Sequence, residues 1–183
     1  MFGLQPFYMT PTADMLRGSQ LERPIILEYV RARRIQESGT SFTLTFPGLL
    51  VHKELSYLAY SPDAVLQVGS DAFLIEVNTS KNALKLTNHI DQIQCGLLVS
   101  GLERAIVLFL RLLESGPVRA EMKYIDVSIV ERDMVWQAKF KSNAMKVYTT
   151  FLQWIYTHPV EFDTGVKVLG VITKGSSEFI RDM

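Results

Sequence analysis

Leu21, Ile25, Tyr29 and Ala32 recur at intervals of three and four, which places them on one stripe of a helix from about Ser19 to Glu37. Pro24 suits the first turn of such a helix, where its missing N–H has no partner to lose, and Ser38-Gly39 ends it. The period then changes to two. Ser41–Phe46 alternates and is rich in β-branched and aromatic residues, which predicts a strand. Pro47-Gly48 marks a turn, and Leu49–His52 predicts a second short strand. Ala64–Val68 and Ala72–Asn78, joined by Gly69-Ser70-Asp71, predict a hairpin.

A helix is expected from about Ala83 to Ser100, closed by Gly101. The unbroken apolar run from Ala105 to Leu113 predicts a buried strand, followed by a loop at Ser115-Gly116-Pro117. Tyr124–Val130 alternates again, Asp133 to Thr157 has the pattern of a long helix stopped before Pro159, and Val166–Thr173 predicts a last strand. Helices interleaved with strands in this order predict an α/β fold with a central mixed β-sheet flanked by helices. Residues 1–16 have no clear period and are expected to form an arm, with residues 17–183 as a single domain.

Composition narrows the classes. The chain has 183 residues, of which 48% are hydrophobic and 21% charged, as in an ordinary globular protein with a real core. Lys+Arg and Asp+Glu both number 19, so bulk positive charge is not how it would hold nucleic acid; a local patch would have to serve. Cys95 is the only cysteine, which excludes an internal disulfide and a multi-cysteine zinc site and fits a reducing, intracellular setting. His52, His89 and His158 lack metal-ligand spacing. The longest apolar run is too short to span a bilayer, and residues 1–12 do not have the make-up of a signal peptide.

The candidate chemistry is a pair of acids. In a strand through Leu74-Ile75-Glu76-Val77-Asn78, Phe73, Ile75 and Val77 share one face, the expected core side. Leu74, Glu76 and Asn78 share the other, expected to be polar. Asp63, at the start of the preceding strand, would bring a second carboxylate to that side. Two such oxygens suit Mg²⁺, which prefers carboxylates plus water and activates water for attack on phosphate. Two solvated surface acids are the alternative.

Ser61-Pro62-Asp63, with Glu76-Val77-Asn78 beginning 13 residues beyond Asp63, resembles the "SPDG … EIK" core of the lambda exonuclease and YqaJ-like viral recombinase family, part of the PD-(D/E)XK nuclease superfamily. Three further stretches are similar and in the family's order. Arg17-Gly18-Ser19-Gln20-Leu21-Glu22 resembles "RGTELE", whose last glutamate lies near the metals. Asp91-Gln92-Ile93-Gln94, running on to Leu98-Val99-Ser100-Gly101, resembles "AQVQ…LWVTG", whose first glutamine faces the catalytic centre. Val127–Asp133 followed by Phe140 resembles the strand and helix start near the family's C-terminus.

The resemblance implies a restriction-endonuclease-like core and a DNA nuclease that needs Mg²⁺ or Mn²⁺. Glu22, Asp63 and Glu76 would hold the metal, and Gln92 with Asn78 or Lys81 would place water. Arg17, Arg23, Arg31, Arg33 and Arg34 form a basic stretch in which Arg17, Arg31 and Arg34 would contact phosphates, or which would otherwise be a solvated helix face. Gln94 is expected on a solvated face, two residues from Gln92. Glu22 is also a first-turn acid favoured by the helix dipole. Glu131-Arg132-Asp133 is expected to be surface charge with Asp133 as an N-cap. Trp136, Phe140, Tyr148, Phe151 and Trp154 are expected in the core or an interface.

The pattern departs from the family at three places. Asn78 stands where the second motif ends in lysine, so an amide replaces a positive charge. Ala64 replaces the glycine of "SPDG". The family's N-terminal arginine- and tryptophan-bearing segment, which grips the DNA end, has no counterpart before Arg17, so a processive end grip is not expected. These departures keep a second class open: a catalytically inactive relative acting as a nucleic-acid-binding or protein-interaction module, with a protein partner or a second copy in place of substrate.

Overall fold

A computed structural model describes residues 13–80, 85–111 and 125–159. They fall into two compact units, divided between Lys139 and Phe140. The larger unit holds the sheet, and the part of the smaller unit described here is helical. The expected loop at Ser115-Gly116-Pro117, the last strand at Val166–Thr173 and Lys81 lie outside the described residues.

The chain opens with α1 (Ala13–Gln36), then β1 (Phe42–Thr45), β2 (Leu50–Val51), β3 (Ala59–Tyr60), β4 (Ala64–Val68) and β5 (Asp71–Ser80). A short 3-10 helix (Leu86–Asn88), α2 (Ile90–Ser100), β6 (Arg104–Arg111), β7 (Ile125–Glu131) and α3 (Met134–Thr157) follow. Five strands form one mixed sheet in the order β1-β4-β5-β6-β7, and β2 pairs with β3 in a small separate hairpin. Among the described strands only β5 and β6 are parallel, because α2 carries the chain across between them. The expected mixed α/β architecture is present, and no helix among the described residues is long and apolar enough to cross a membrane.

Both faces of the central strands are covered, which is why Ala105–Leu110 reads as continuous apolar sequence. On one face Ile25, Ile26, Tyr29 and Val30 of α1 pack against Leu66, Phe73, Ile75, Ile106 and Leu108. On the other, Ile93 and Leu97 of α2 pack against Leu74, Ala105, Val107 and Phe109.

Three sequence expectations are corrected here. α1 starts at Ala13, so Pro24 lies inside the helix rather than in its first turn. An interior proline removes one backbone hydrogen bond; the fully buried Ile25 and Ile26 immediately after it hold the helix to the sheet regardless. The single helix expected over 83–100 is, in its described part from Lys85 on, a 3-10 turn and a separate α2, broken at His89. The face carrying Leu74 and Glu76 is not a solvated polar face, because α2 covers it; a parallel β5–β6 pair is buried on both sides, so alternation does not mark an exposed side there. At the other end of α2 the expectation is met: Gly101 takes a left-handed conformation (φ 73°) and its N–H donates to the Leu97 carbonyl at 3.0 Å.

Candidate active site

The β4–β5 hairpin sets the site. Its tight turn fixes the register, with Val68 opposite Asp71 and Ala64 opposite Ile75. One step beyond the Ala64–Ile75 pair, Asp63 falls beside Glu76. Asp63 Oδ2 accepts a 2.7 Å hydrogen bond from the Val77 N–H, so the carboxylate continues the ladder where the strand has ended. Asp63 is half-buried, and Glu76, at 3% exposure, is buried.

Burial governs the electrostatics. Loss of solvent pushes the Asp63 carboxyl up to about 6; the Val77 N–H opposes this and the charge of Glu22 on α1 adds to it. Glu76 is pushed up to about 8, again by burial first. Tyr60 and Gln92 oppose that shift, while Asp63 and Glu22 reinforce it. Gln92, exposed on the first turn of α2, donates its Nε2 to Glu76 Oε2 at 3.2 Å. Tyr60, on β3, stands against the same carboxylate, and burial followed by the Glu76 charge raises its phenol pKa. Yet neither the Tyr60 hydroxyl nor Glu76 Oε1 completes a well-formed hydrogen bond, although both are shut off from solvent.

Asp63, Glu76 and Gln92 thus come together, with Glu22 close enough to act on both acids. Glu22 does not complete a tight cage: among the described residues no three His, Cys, Asp or Glu side chains are grouped closely enough to hold a metal ion. Asn78 lies two residues beyond Glu76 on the same strand, half-buried and opposite Phe109 of β6. Arg31 is exposed and only 4.0 Å from Glu28. Arg34 donates to the Phe42 carbonyl at 3.2 Å and stacks over the Phe42 ring, tying α1 to β1. Arg17 belongs to α1.

Tyr60 is the site residue that sequence reasoning missed. Its signal, a tyrosine directly before Ser61-Pro62-Asp63, is too common to stand out without the β2–β3 hairpin that delivers it. Gln94 is a correction: it is buried, not solvated. Its Nε2 donates to the Glu131 carbonyl at 2.7 Å and its Oε1 accepts from the Asp133 N–H at 2.8 Å. Arg132 is likewise more than surface charge, donating to Gln137 Oε1 at 2.9 Å and Glu103 Oε1 at 2.8 Å. Asp133 does cap α3, its Oδ1 accepting from the Val135 and Trp136 N–H groups.

An acid pair at the mouth of a β4–β5 hairpin, with a helix crossing to a parallel strand behind it, matches a nuclease-like α/β fold, and exonucleases are among the solved structures that share it. The alkaline exonuclease LHK-Exo from Laribacter hongkongensis superposes with a TM-score of 0.57 at 21% identity, over 85% of this chain and 77% of that one. Its complex with dAMP gives the same values. A phage-related exonuclease from Haemophilus somnus superposes with a TM-score of 0.53 at 14% identity, over 81% and 76%. No family profile and no curated protein matches the chain.

Proposed function

We propose that this chain is a divalent-metal-dependent nuclease of the lambda-exonuclease type that hydrolyses DNA phosphodiesters. The carrying observation is the Asp63–Glu76 pair: two converging carboxylates, both pushed up by burial, with Glu76 Oε1 unsatisfied. Two like charges in a poorly solvated place are unfavourable unless a cation joins them. Mg²⁺ suits this donor set, since it takes one or two carboxylates and keeps waters and substrate oxygens for its remaining positions; the absence of a three-residue cage is compatible with that habit. DNA as substrate is supported by the fold shared with exonucleases, one of them solved with dAMP.

In this reading Asp63 and Glu76 hold Mg²⁺ or Mn²⁺, and Glu22 strengthens the local negative field. The ion, when bound, supplies water activation and charge neutralisation at the phosphate. Gln92 fixes the Glu76 carboxylate through Oε2. Asn78 offers an amide that can hold water but brings no charge. Purified protein with Mg²⁺ should shorten end-labelled duplex DNA and stop on addition of EDTA. Folded protein inert with both Mg²⁺ and Mn²⁺ would overturn the proposal.

Asn78 favours a second reading, a nuclease-fold protein that binds nucleic acid or a protein partner without cleaving. It is separated from the first by Asn78→Lys: cleavage appearing only in the variant supports loss of catalysis, whereas cleavage by the unmodified chain excludes it.

A further inference from the structure

The cation site accounts for the unsatisfied Glu76 Oε1 but leaves the second buried polar atom, the Tyr60 hydroxyl that faces the same carboxylate, without a role. Native structures rarely leave such atoms unpaired unless something else binds there. The Tyr60 ring is held where it is by a glycine. A Cβ on Gly96 would meet Tyr60 Cε1 at 2.6 Å and Cζ at 2.8 Å, and Leu74 Cδ2 at 2.7 Å, so no side chain fits between α2 and the ring. Glycine inside a helix is disfavoured relative to alanine, and here it clears a seat. Gly96 is four residues after Gln92, hence one turn further along the same face of α2. That face therefore acts on Glu76 twice, directly through Gln92 on Oε2 and indirectly through the ring it seats.

We propose that Tyr60, seated on Gly96, is a positioning residue that, together with Gln92, fixes the Glu76 carboxylate for the divalent cation. The inference rests on reading Asp63 and Glu76 as the cation site. The phenol is at the end of a rigid aromatic arm, and its hydroxyl both donates and accepts. It can steady the carboxylate or a water between the two atoms without being a ligand itself, as groups behind metal ligands commonly do.

The test is Mn²⁺ affinity, measured by titration calorimetry on full-length wild type, Tyr60→Phe, Gly96→Ala and the double variant, with melting temperatures alongside. Tyr60→Phe keeps the ring and its packing, so it should melt near wild type yet bind Mn²⁺ about tenfold more weakly. Gly96→Ala, with its hydroxyl intact but displaced, should also bind more weakly, and adding Tyr60→Phe to it should weaken binding little further. Tyr60→Phe binding Mn²⁺ as wild type does would overturn the role of Tyr60 alone. Wild type failing to bind Mn²⁺ would overturn the cation site and this inference with it.

Discussion

Gln92 and Gln94 sit two residues apart on α2 and serve two polar clusters that differ in one respect. Around Gln94 the bonding is closed: the Glu131 carbonyl, the Asp133 N–H, Gln137, Arg132 and Glu103 are each bonded in turn. Around Gln92 it is open: the buried Tyr60 hydroxyl and Glu76 Oε1 face each other without a well-formed hydrogen bond, and two acids are pushed toward neutrality. A satisfied buried network fixes a single packing, here of the α3 start against α2. An unsatisfied one is a standing cost, tolerated where a ligand relieves it. The contrast assigns structure to one cluster and chemistry to the other, although the sequence writes both as glutamine on the same helix.

Substitutions in the two clusters should therefore have opposite signatures. Asp63→Asn or Glu76→Gln should lower DNA cleavage by about a hundredfold or more. Either should also leave the metal-free protein at least as stable as wild type, since an amide needs neither to bury a charge nor to take up a proton on folding. Loss of activity accompanied by a lower melting temperature would erase the distinction. Gln94→Ala should do the reverse, costing about 2–3 kcal/mol in chemical denaturation because the Glu131 carbonyl and Asp133 N–H lose their partner, with the cleavage rate per folded molecule kept.

Asn78→Lys sharpens the comparison from the chemical side. A charge added two residues beyond Glu76 should raise the cleavage rate about tenfold; an unchanged rate would show that the amide already suffices or that position 78 does not face the substrate. The smallest effect is a pH dependence. Asp63 and Glu76 have raised values in the folded protein, so the native state keeps protons that the unfolded chain has released. Their contribution to stability is full below the ordinary carboxylate range and is lost as pH rises through about 6 and then about 8. Without metal, the denaturation midpoint should fall between pH 5 and 9, and Mg²⁺ should reduce the fall. A flat profile, or one indifferent to Mg²⁺, would contradict the open cluster.

Much of this was legible in the chain. Period-two alternation around Gly69-Ser70 predicts the hairpin, and the apolar run after Glu103 predicts the buried strand, because both are local consequences of burial. The acid pair is legible through the family resemblance, but the expected three-residue connection Gly69-Ser70-Asp71 would set Asp63 opposite Val77; the strand in fact begins at Asp71, and that tighter turn brings Asp63 beside Glu76. What could not be read is non-local. Nothing in the alternation of β5 reveals that α2 covers its second face, which turned an expected polar surface into the burial that shifts Glu76. Gln94 looks like Gln92 until Glu131 and Asp133, more than 35 residues later, are folded against it. Tyr60 gains meaning only from Gly96 across the packed interface. Pro24 misleads for a similar reason: packing of Ile25 and Ile26 overrides the local preference for a first turn.

The central claim, that Asp63 and Glu76 share a divalent cation, is tested most directly by crystals grown with Mn²⁺ and measured for anomalous scattering. A peak between Asp63 and Glu76, at coordination distance from a carboxylate oxygen of each and with Gln92 still on Glu76 Oε2, is the predicted result. A peak elsewhere, or none at saturating Mn²⁺ with both carboxylates ordered, would contradict it.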